Sequence, residues 1–529
     1  MSTERLWWQD GVIYQIYPRS FQDSNGDGVG DLAGIESRLD YLATLGIEAV
    51  WISPFYPSPM ADFGYDVADY TGVDPIFGTL TDFDHLIAAV HARGLKLIVD
   101  FVPNHSSDQH PWFRESKSSR DNPKRDWYLW RDPAPGGGYP NNWMSNFGGP
   151  GWTFDEATGQ YYYHSFLKEQ PDLNWHNPAV REAIYGAMRF WLDRGVDGFR
   201  MDVLWLLIKD AAFRDNLPNP EWRPGASSFW SVLPTYTADQ PETHQIVAEM
   251  RSVLDHYPER VLIGEIYLDV HDLVRYYGAD NLLTGAQMPF NFHLIQTEWN
   301  ADRIAELIRE YESALPAGAW PNWVMGNHDQ SRVASRIGPL QARAAAMLLL
   351  TLRGTPTIYN GEELGMTNGR IAPDQVQDPA EKNQPGIGMG RDPERTPMLW
   401  DTSAGAGFTT GTPWLPLNPD RTQTNVATES ADDRSMLTLY RRLLGLRREH
   451  PALHAGSIEN IWTDKGVLVY TRALGDERFQ ILLNLTGDIQ TVHCDPGHIV
   501  LTTILDGEGA PVGGPMVIES GEGLLIRLG

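Results

Sequence analysis

Three times before residue 204 the chain runs a helical apolar stripe into a glycine and then into a short apolar strand. This repeat restricts the fold more than any other feature. The first copy, LAGIESRLDYLATLGIEAVWISP, spaces Ile35, Leu39, Leu42 and Leu45 at helical intervals, stops at Gly46 and continues as the strand-like IEAVWIS. The second, TDFDHLIAAVHARGLKLIVDFVPNH, predicts a helix capped at Thr81 with Phe83, Leu86, Ile87 and Val90 on one stripe, a stop at Gly94, and LKLIVDFV as a buried strand. The third opens on Asn177 and Pro178, suited to a cap and a first turn. It carries Val180, Ile184, Met188 and Trp191 and ends in the strand GVDGFRMDV. GVIYQIYP, RVLIGEIY, NLLTGAQMPFNF, WVMGNHD and GTPTIYNGEE raise the strand candidates to eight.

Eight strands separated by helical patterns predict an α/β chain, a (β/α)8 TIM barrel; a doubly wound sheet is disfavoured because no GxGxxG follows a strand. At 529 residues the chain exceeds the roughly 250–300 that one core supports, so companion domains are expected. Between His105 and Asn177 the repeat gives way to Pro-, Gly- and Trp-rich sequence such as RDPAPGGGYPNNW, which reads as an irregular inserted domain over 105–175. The barrel then occupies 1–104 and 176–455. Beyond it, GVLVYTRAL, RFQILLNLT, IQTVHC, HIVLTTIL, MVIES and GLLIRL predict a small antiparallel β-domain over 456–529.

Charge and cysteine content exclude some functions. A formal charge of −27 would repel a phosphate backbone or an anionic membrane surface, so neither nucleic acid nor membrane is an expected partner. The one cysteine, Cys494, has no intramolecular partner, the start MSTERLWWQDG carries no basic-then-apolar leader, and no apolar run approaches membrane length. A soluble, cytoplasmic protein, monomer or homodimer, is the expectation.

In a barrel of this kind, chemistry gathers at the carboxyl ends of the strands. Here those ends are repeatedly polar: Asn104 and His105, Asp202, Glu265, and His328 with Asp329. Each alone has a bland explanation, a helix cap or a packed histidine, but carboxylates from several strands meeting at one mouth suit glycoside hydrolysis. There one carboxylate attacks the sugar and another protonates the leaving oxygen. Arg200 and Asp202 share one strand face, and a fixed cation there would lower the aspartate's pKa and hold it ionised. Glu265 follows the apolar VLIG, where desolvation would keep a carboxyl protonated. In DSNGDGVGD, Asp23, Asn25 and Asp27 alternate, Gly28 allows a sharp turn and Val29 offers a carbonyl. These are the first positions of a calcium loop, but Gly34 stands where an EF-hand needs glutamate. A solvated Asx-turn is the alternative.

The motifs WWQDGVIYQIYPRSFQDSNGDGVGDL, GYDVADY, DFVPNHSS, QPDLNW, GFRMDV, IGEIY, GNHD and RDPERTPMLWD, in that order, give the chain a nearly full-length resemblance to the α-amylase superfamily of retaining glycoside hydrolases (family 13), in its α-glucosidase and oligo-1,6-glucosidase branch. The resemblance implies a catalytic barrel, a domain inserted after strand three and a C-terminal β-sandwich. It implies Asp202 as nucleophile, Glu265 as general acid/base and Asp329 as transition-state stabiliser, with His105 and His328 bonding the first glucose and Phe147 and Phe166 lining its pocket. Asp62 and Tyr65 would contact the terminal sugar, with an arginine of RDPERTPM pairing with Asp62 to close the pocket; Arg395 is preferred to Arg391 for that pair. It further implies a structural Ca2+ or Mg2+ at Asp23, Asn25, Asp27, Val29 and Asp31, with no catalytic metal. The expected activity is exo-acting release of α-glucose from short α-glucosides by double displacement, with transglucosylation open. A dedicated α-glucosyltransferase or sucrose isomerase is the alternative, and a non-catalytic binding subunit a remote one. Val203 resembles the residue of α-1,6-cleaving members, and TEWNADRIAEL lacks the arginine-rich loop usual in isomerases.

Overall fold

The computed structural model describes residues 5–279 and 282–529. Residues 1–4, where the expected absence of a leader falls, and Asp280 and Asn281, the latter the start of the expected sixth strand segment, lie outside the described residues. The repeat folds as predicted into eight parallel strands: β1 (Ile13–Ile16), β2 (Ala49–Ile52), β3 (Lys96–Phe101), β4 (Gly198–Met201), β5 (Val261–Gly264), β6 (Met288–Pro289), β7 (Asn322–Val324) and β8 (Thr355–Tyr359). Their hydrogen-bonded order, β6-β5-β4-β3-β2-β1-β8-β7, is that of a barrel opened along one seam. At the seam β6 is short and ends in Pro289, which has no N–H to give a ladder. Asn322 spans the gap instead, its Oδ1 accepting from the Asn291 amide at 2.9 Å and its amide nitrogen donating to the Pro289 carbonyl.

Period-two alternation sorts each strand. Ile13, Trp51, Ile98, Val261, Ile263, Met288 and Val324 pack together inside the barrel, whereas Val50, Ile52, Leu97, Val99, Phe199 and Leu262 face the helices. On β3 the inward set continues from Ile98 to Asp100, and the register pairs Asp100 with Arg200 of β4. The polar inner residues are therefore the last inward positions of apolar strands.

The helical stripes are buried as expected, with two differences. The first repeat breaks at Arg38 into Leu32–Ser37 and Leu39–Leu45, ending at Gly46 with φ of 99°. The second helix spans Leu80–Ala92 and is capped by Thr79, not Thr81, because Thr79 and Asp82 form a reciprocal capping box. Asn177 caps Pro178–Asp193 as predicted.

Between β3 and Pro178 lie the helix Pro111–Ser118 and a three-stranded antiparallel sheet of Trp130–Arg131, Gln160–Tyr163 and Trp152–Asp155, with Leu129, Trp143, Trp152 and Tyr163 as an aromatic core. The C-terminal region is one six-stranded antiparallel sheet, ordered β9 (Ser457–Asp464), β10 (Val467–Leu474), β11 (Glu477–Asn484), β14 (Gly523–Leu528), β12 (Gln490–Thr502), β13 (Pro511–Ile518). The predicted IQTVHC and HIVLTTIL strands are one strand, β12, bulged between Cys494 and Gly497. One face of the sheet joins the main core through Leu468, Tyr470 and Ile481; the other holds its own cluster around Val469 and Ile526. No helix among the described residues is long and apolar enough to cross a membrane.

Candidate active site

The carboxyl ends of the strands open on one cleft of about 680 Å³, lined among others by Asp62, Tyr65, His105, Asp202, Glu265 and Asp329. Asp202 and Glu265 immediately follow β4 and β5, and the parallel ladder runs past both strand ends to seat them. The Asp202 amide donates to Phe101 O at 2.8 Å, and the Glu265 amide donates to Met201 O at 2.9 Å. His328, Phe147 and Phe166 line the same cleft, while Arg200 and Arg395 are fully buried and not part of its lining.

Arg200 is fully buried and holds more than the one aspartate expected of it. Its Nη1 donates to Asp202 Oδ1 at 2.9 Å and to Asp100 Oδ1 at 2.9 Å, and its Nη2 lies 2.8 Å from Glu265 Oε2. Asp100 escaped the sequence reading, although its inward register opposite Arg200 was the available signal. One guanidinium among three carboxylates cannot keep all of them ionised. Burial pushes Asp100 up to about 7 against the pull of Arg200. The pKa of Asp202 is raised by burial and then by the Glu265 carboxylate, with Arg200 opposing. Glu265 is raised too, by burial first, with Arg200 opposing and Asp329 adding. Arg200 lowers the Asp202 pKa as expected, but its field is divided and burial outweighs it, so the net shift is upward and not the downward one expected. Asp202 and Glu265 thus share one buried site in which the Glu265 carboxylate raises Asp202, and both lie above the ordinary carboxylate value.

Asp329 is set the opposite way. Burial would raise it, but the Arg395 and Arg391 cations hold it well below the usual carboxylate range. Arg395 Nη2 bonds Asp329 Oδ1 at 2.7 Å, and Arg395 Nε donates to the His328 carbonyl at 2.8 Å. His328 is enclosed by Gln15 (2.8 Å to Nδ1) and the Tyr65 hydroxyl (2.7 Å to Nε2), and burial lowers its pKa well below the usual imidazole value. Burial also takes His105 down to about 4, so both histidines are neutral.

The structure corrects one predicted pair. Arg391, not Arg395, meets Asp62, with Nη2 2.7 Å from Oδ1. Arg391 is braced by Asp378, which accepts from its Nε at 2.7 Å and from its backbone amide at 2.8 Å. Arg395 is turned instead to Asp329 and the His328 carbonyl. Phe147 lies under Arg391, 4.9 Å from guanidinium carbon to ring centre, and meets Phe166 edge-on at 5.4 Å. Gln170 of QPDLNW reaches Asp62 and His105 at 3.3 and 3.2 Å. Neither Gln170 nor Asp378 was singled out from sequence. Gln170 sat inside a recognised motif, whereas nothing local marks Asp378. Trp205, Phe229, Trp230 and Tyr267 also line the cleft and were not anticipated.

At the loop 23–31, the donor chemistry is right for a hard cation: three carboxylates, an amide oxygen and a carbonyl within nine residues. The loop also closes on itself. Asp23 accepts from the amides of Asn25, Gly26 and Gly28, and Asp27 accepts from Val29. Asp31 caps the following helix through Gly34 and bonds Ser24. Among the described residues no three His, Cys, Asp or Glu side chains converge as a metal cluster.

A parallel eight-stranded barrel with an acid pair around a buried arginine and a third, strongly ionised aspartate across the cleft defines a glycoside hydrolase. The comparisons give its family: residues 15–456 match the family described as Alpha amylase, catalytic domain, and the chain belongs to it. It is 42% identical to a probable alpha-glucosidase of Rhizobium meliloti over 96% of each chain. It is likewise 42% identical to an oligo-1,6-glucosidase of Halalkalibacterium halodurans, over 95% of this chain and 94% of that one. The crystal structure of an alpha-glucosyl transfer enzyme superposes with a TM-score of 0.93 at 40% identity, over 99% of this chain and all of the other.

Proposed function

We propose that this protein is a retaining α-glucosidase that removes one terminal α-glucosyl unit at a time from short α-glucosides. The observation that carries the reading is the Asp62–Arg391 pair, braced by Asp378, which walls one end of the carboxylate cleft so that a chain end fits and a chain interior does not. In this reading Glu265, raised by burial, carries the proton once sugar enters. Asp202 attacks the anomeric carbon, the glycosidic bond breaks, and the Glu265 proton passes to the leaving oxygen. Glu265 then takes a proton from water, whose oxygen displaces Asp202 and restores the original configuration. Asp329, ionised between two arginines, strengthens its bonds to the sugar as positive charge develops on the ring.

The similarity to an alpha-glucosyl transfer enzyme favours a second reading, transfer of glucose to a sugar or alcohol in place of water. Product analysis by NMR on maltose, isomaltose and sucrose tests both. Glucose released first as the α-anomer is expected. New trisaccharides at high substrate concentration would identify transfer, an isomer of sucrose would identify an isomerase, and internal cleavage of starch without action on maltose would sink the exo-acting reading. We also propose that the loop 23–31 holds a structural Ca2+ or Mg2+, resting on its oxygen donors alone.

A further inference from the structure

We propose that Val203 is a positioning residue: its backbone, held in the left-handed region, pins Glu265 Oε2 so that Oε1 is the oxygen that exchanges protons with the leaving group and the incoming water. This inference rests on reading Glu265 as the acid/base.

Val203 directly follows Asp202 and adopts φ 39° and ψ 46°. A β-branched residue is rarely found there, because its Cβ crowds the neighbouring carbonyl. The conformation turns the chain from β4 straight into the short 3-10 turn Leu204–Leu206. It also aims the Val203 amide at Glu265 Oε2, 2.8 Å away. Arg200 Nη2 reaches the same oxygen at 2.8 Å. An oxygen already accepting from two donors cannot carry its own proton toward them, which leaves Oε1 as the acidic position. The Val203 side chain is buried against Leu206 and Ala238, with Phe166 and Trp205 beside it. That apolar seat keeps the turn from relaxing, where glycine would take the same φ freely and let the amide swing.

Around Glu265 stand Arg200 of β4, Asp202, Asp100 of β3, Asp329 beyond β7, and Tyr267. Against this background, an N–H donated to a carboxylate favours its charged form, so deleting the donor raises the acid's pKa.

The test replaces Val203 by α-hydroxyisovaleric acid, which exchanges only the N–H for an ester oxygen, and compares it with Glu265→Gln. Maltose, whose leaving group needs a proton, is set against α-glucosyl fluoride, whose leaving group needs little. The ester is expected to lose at least about tenfold in kcat on maltose and less than about threefold on the fluoride, with KM little changed. The alkaline limb of its kcat/KM profile should move upward. If Glu265→Gln shows the substrate split and the ester shows neither split nor pH shift, the Val203 inference falls alone. If Glu265→Gln shows no split, the acid/base reading falls and takes the inference with it. A second pair reads the strain separately. Val203→Gly should melt above Val203→Ala, the reverse of their order at an ordinary φ, and the ordinary order would overturn the strained turn.

Discussion

Replacing Arg391 by methionine removes a guanidinium while keeping most of its stem. The lost contacts run to Asp62 at 2.7 Å, Asp378 at 2.7 Å and Asp329 at 3.2 Å. Asp62 is 3% exposed and Asp378 is 0%, so two buried carboxylates lose their nearest cation. Breaking a buried pair costs about 3–5 kcal/mol. A folded domain has about 5–15 kcal/mol in total, so the variant should fold with a lowered Tm. The functional effect follows from Asp62. Burial already raises its pKa and Arg391 is the foremost opposing charge. Without Arg391 its pKa should rise further, so that it becomes ionised only as pH is raised. A charge-assisted bond to a sugar hydroxyl is then lost, about 1.5–3 kcal/mol, which is roughly tenfold to a hundredfold in KM for maltose. KM should improve as pH is raised, and kcat should change less. Arg395→Met should do the opposite, lowering kcat through Asp329 and the His328 carbonyl while leaving KM closer to wild type. Initial rates between pH 6 and 9 separate the two variants, and end-labelled maltotetraose reports whether the pocket has opened to internal cleavage. An Arg391→Met enzyme with unchanged KM beside an Arg395→Met enzyme with raised KM would refute the pairing argument.

Asp202→Asn should lower turnover on maltose by orders of magnitude yet melt higher than wild type at pH 7. Its folded pKa is raised by burial and by Glu265, so its charge costs stability as pH rises above the unfolded value; the gain should vanish near pH 4, and ordinary activity in the variant would remove it from the mechanism. Glu362 offers the same test away from the cleft, being pushed by burial up to about 7 from 4.5 with its Oε2 unpartnered. The fold binds that proton more tightly than the unfolded chain, so stability falls as pH rises through this window by about 3 kcal/mol; Glu362→Gln should raise Tm at pH 8 and leave it alone at pH 4.5, as calorimetry would read. For the loop 23–31, millimolar Ca2+ or Mg2+ should raise Tm, EDTA should lower it, and Asp27→Ala should abolish the response while keeping maltose turnover at 25 °C; a Tm indifferent to all three would remove the metal.

Much of the fold was legible because its signals are local. Helical stripes of three to four residues and strand alternation of two are written in consecutive positions, and Gly46 or Asn177 punctuates them without help from distant residues. The misplaced cap was a local competition between near-equal candidates: Thr79 and Thr81 each have an aspartate three residues on, Asp82 and Asp84, and the fold uses the Thr79–Asp82 box. The polar ends of β4 and β5, and the GNHD segment beyond β7, were readable for the same reason, since they interrupt apolar strands.

What the sequence by itself determined is therefore the repeat, the barrel it implies and the residue types at the strand ends. Tertiary structure decided which of them meet. Asp62 could have paired with either arginine of one motif more than three hundred residues away, and only the placement of Asp378 and Asp329 settles the choice. Charge state was decided the same way: Arg200 sits two residues from Asp202, yet Asp100 and Glu265 arrive from neighbouring strands to share its field. Electrostatics and desolvation act through space, at distances that chain separation does not encode, so the same aspartate can read as lowered by its arginine in sequence and be raised by burial in the fold.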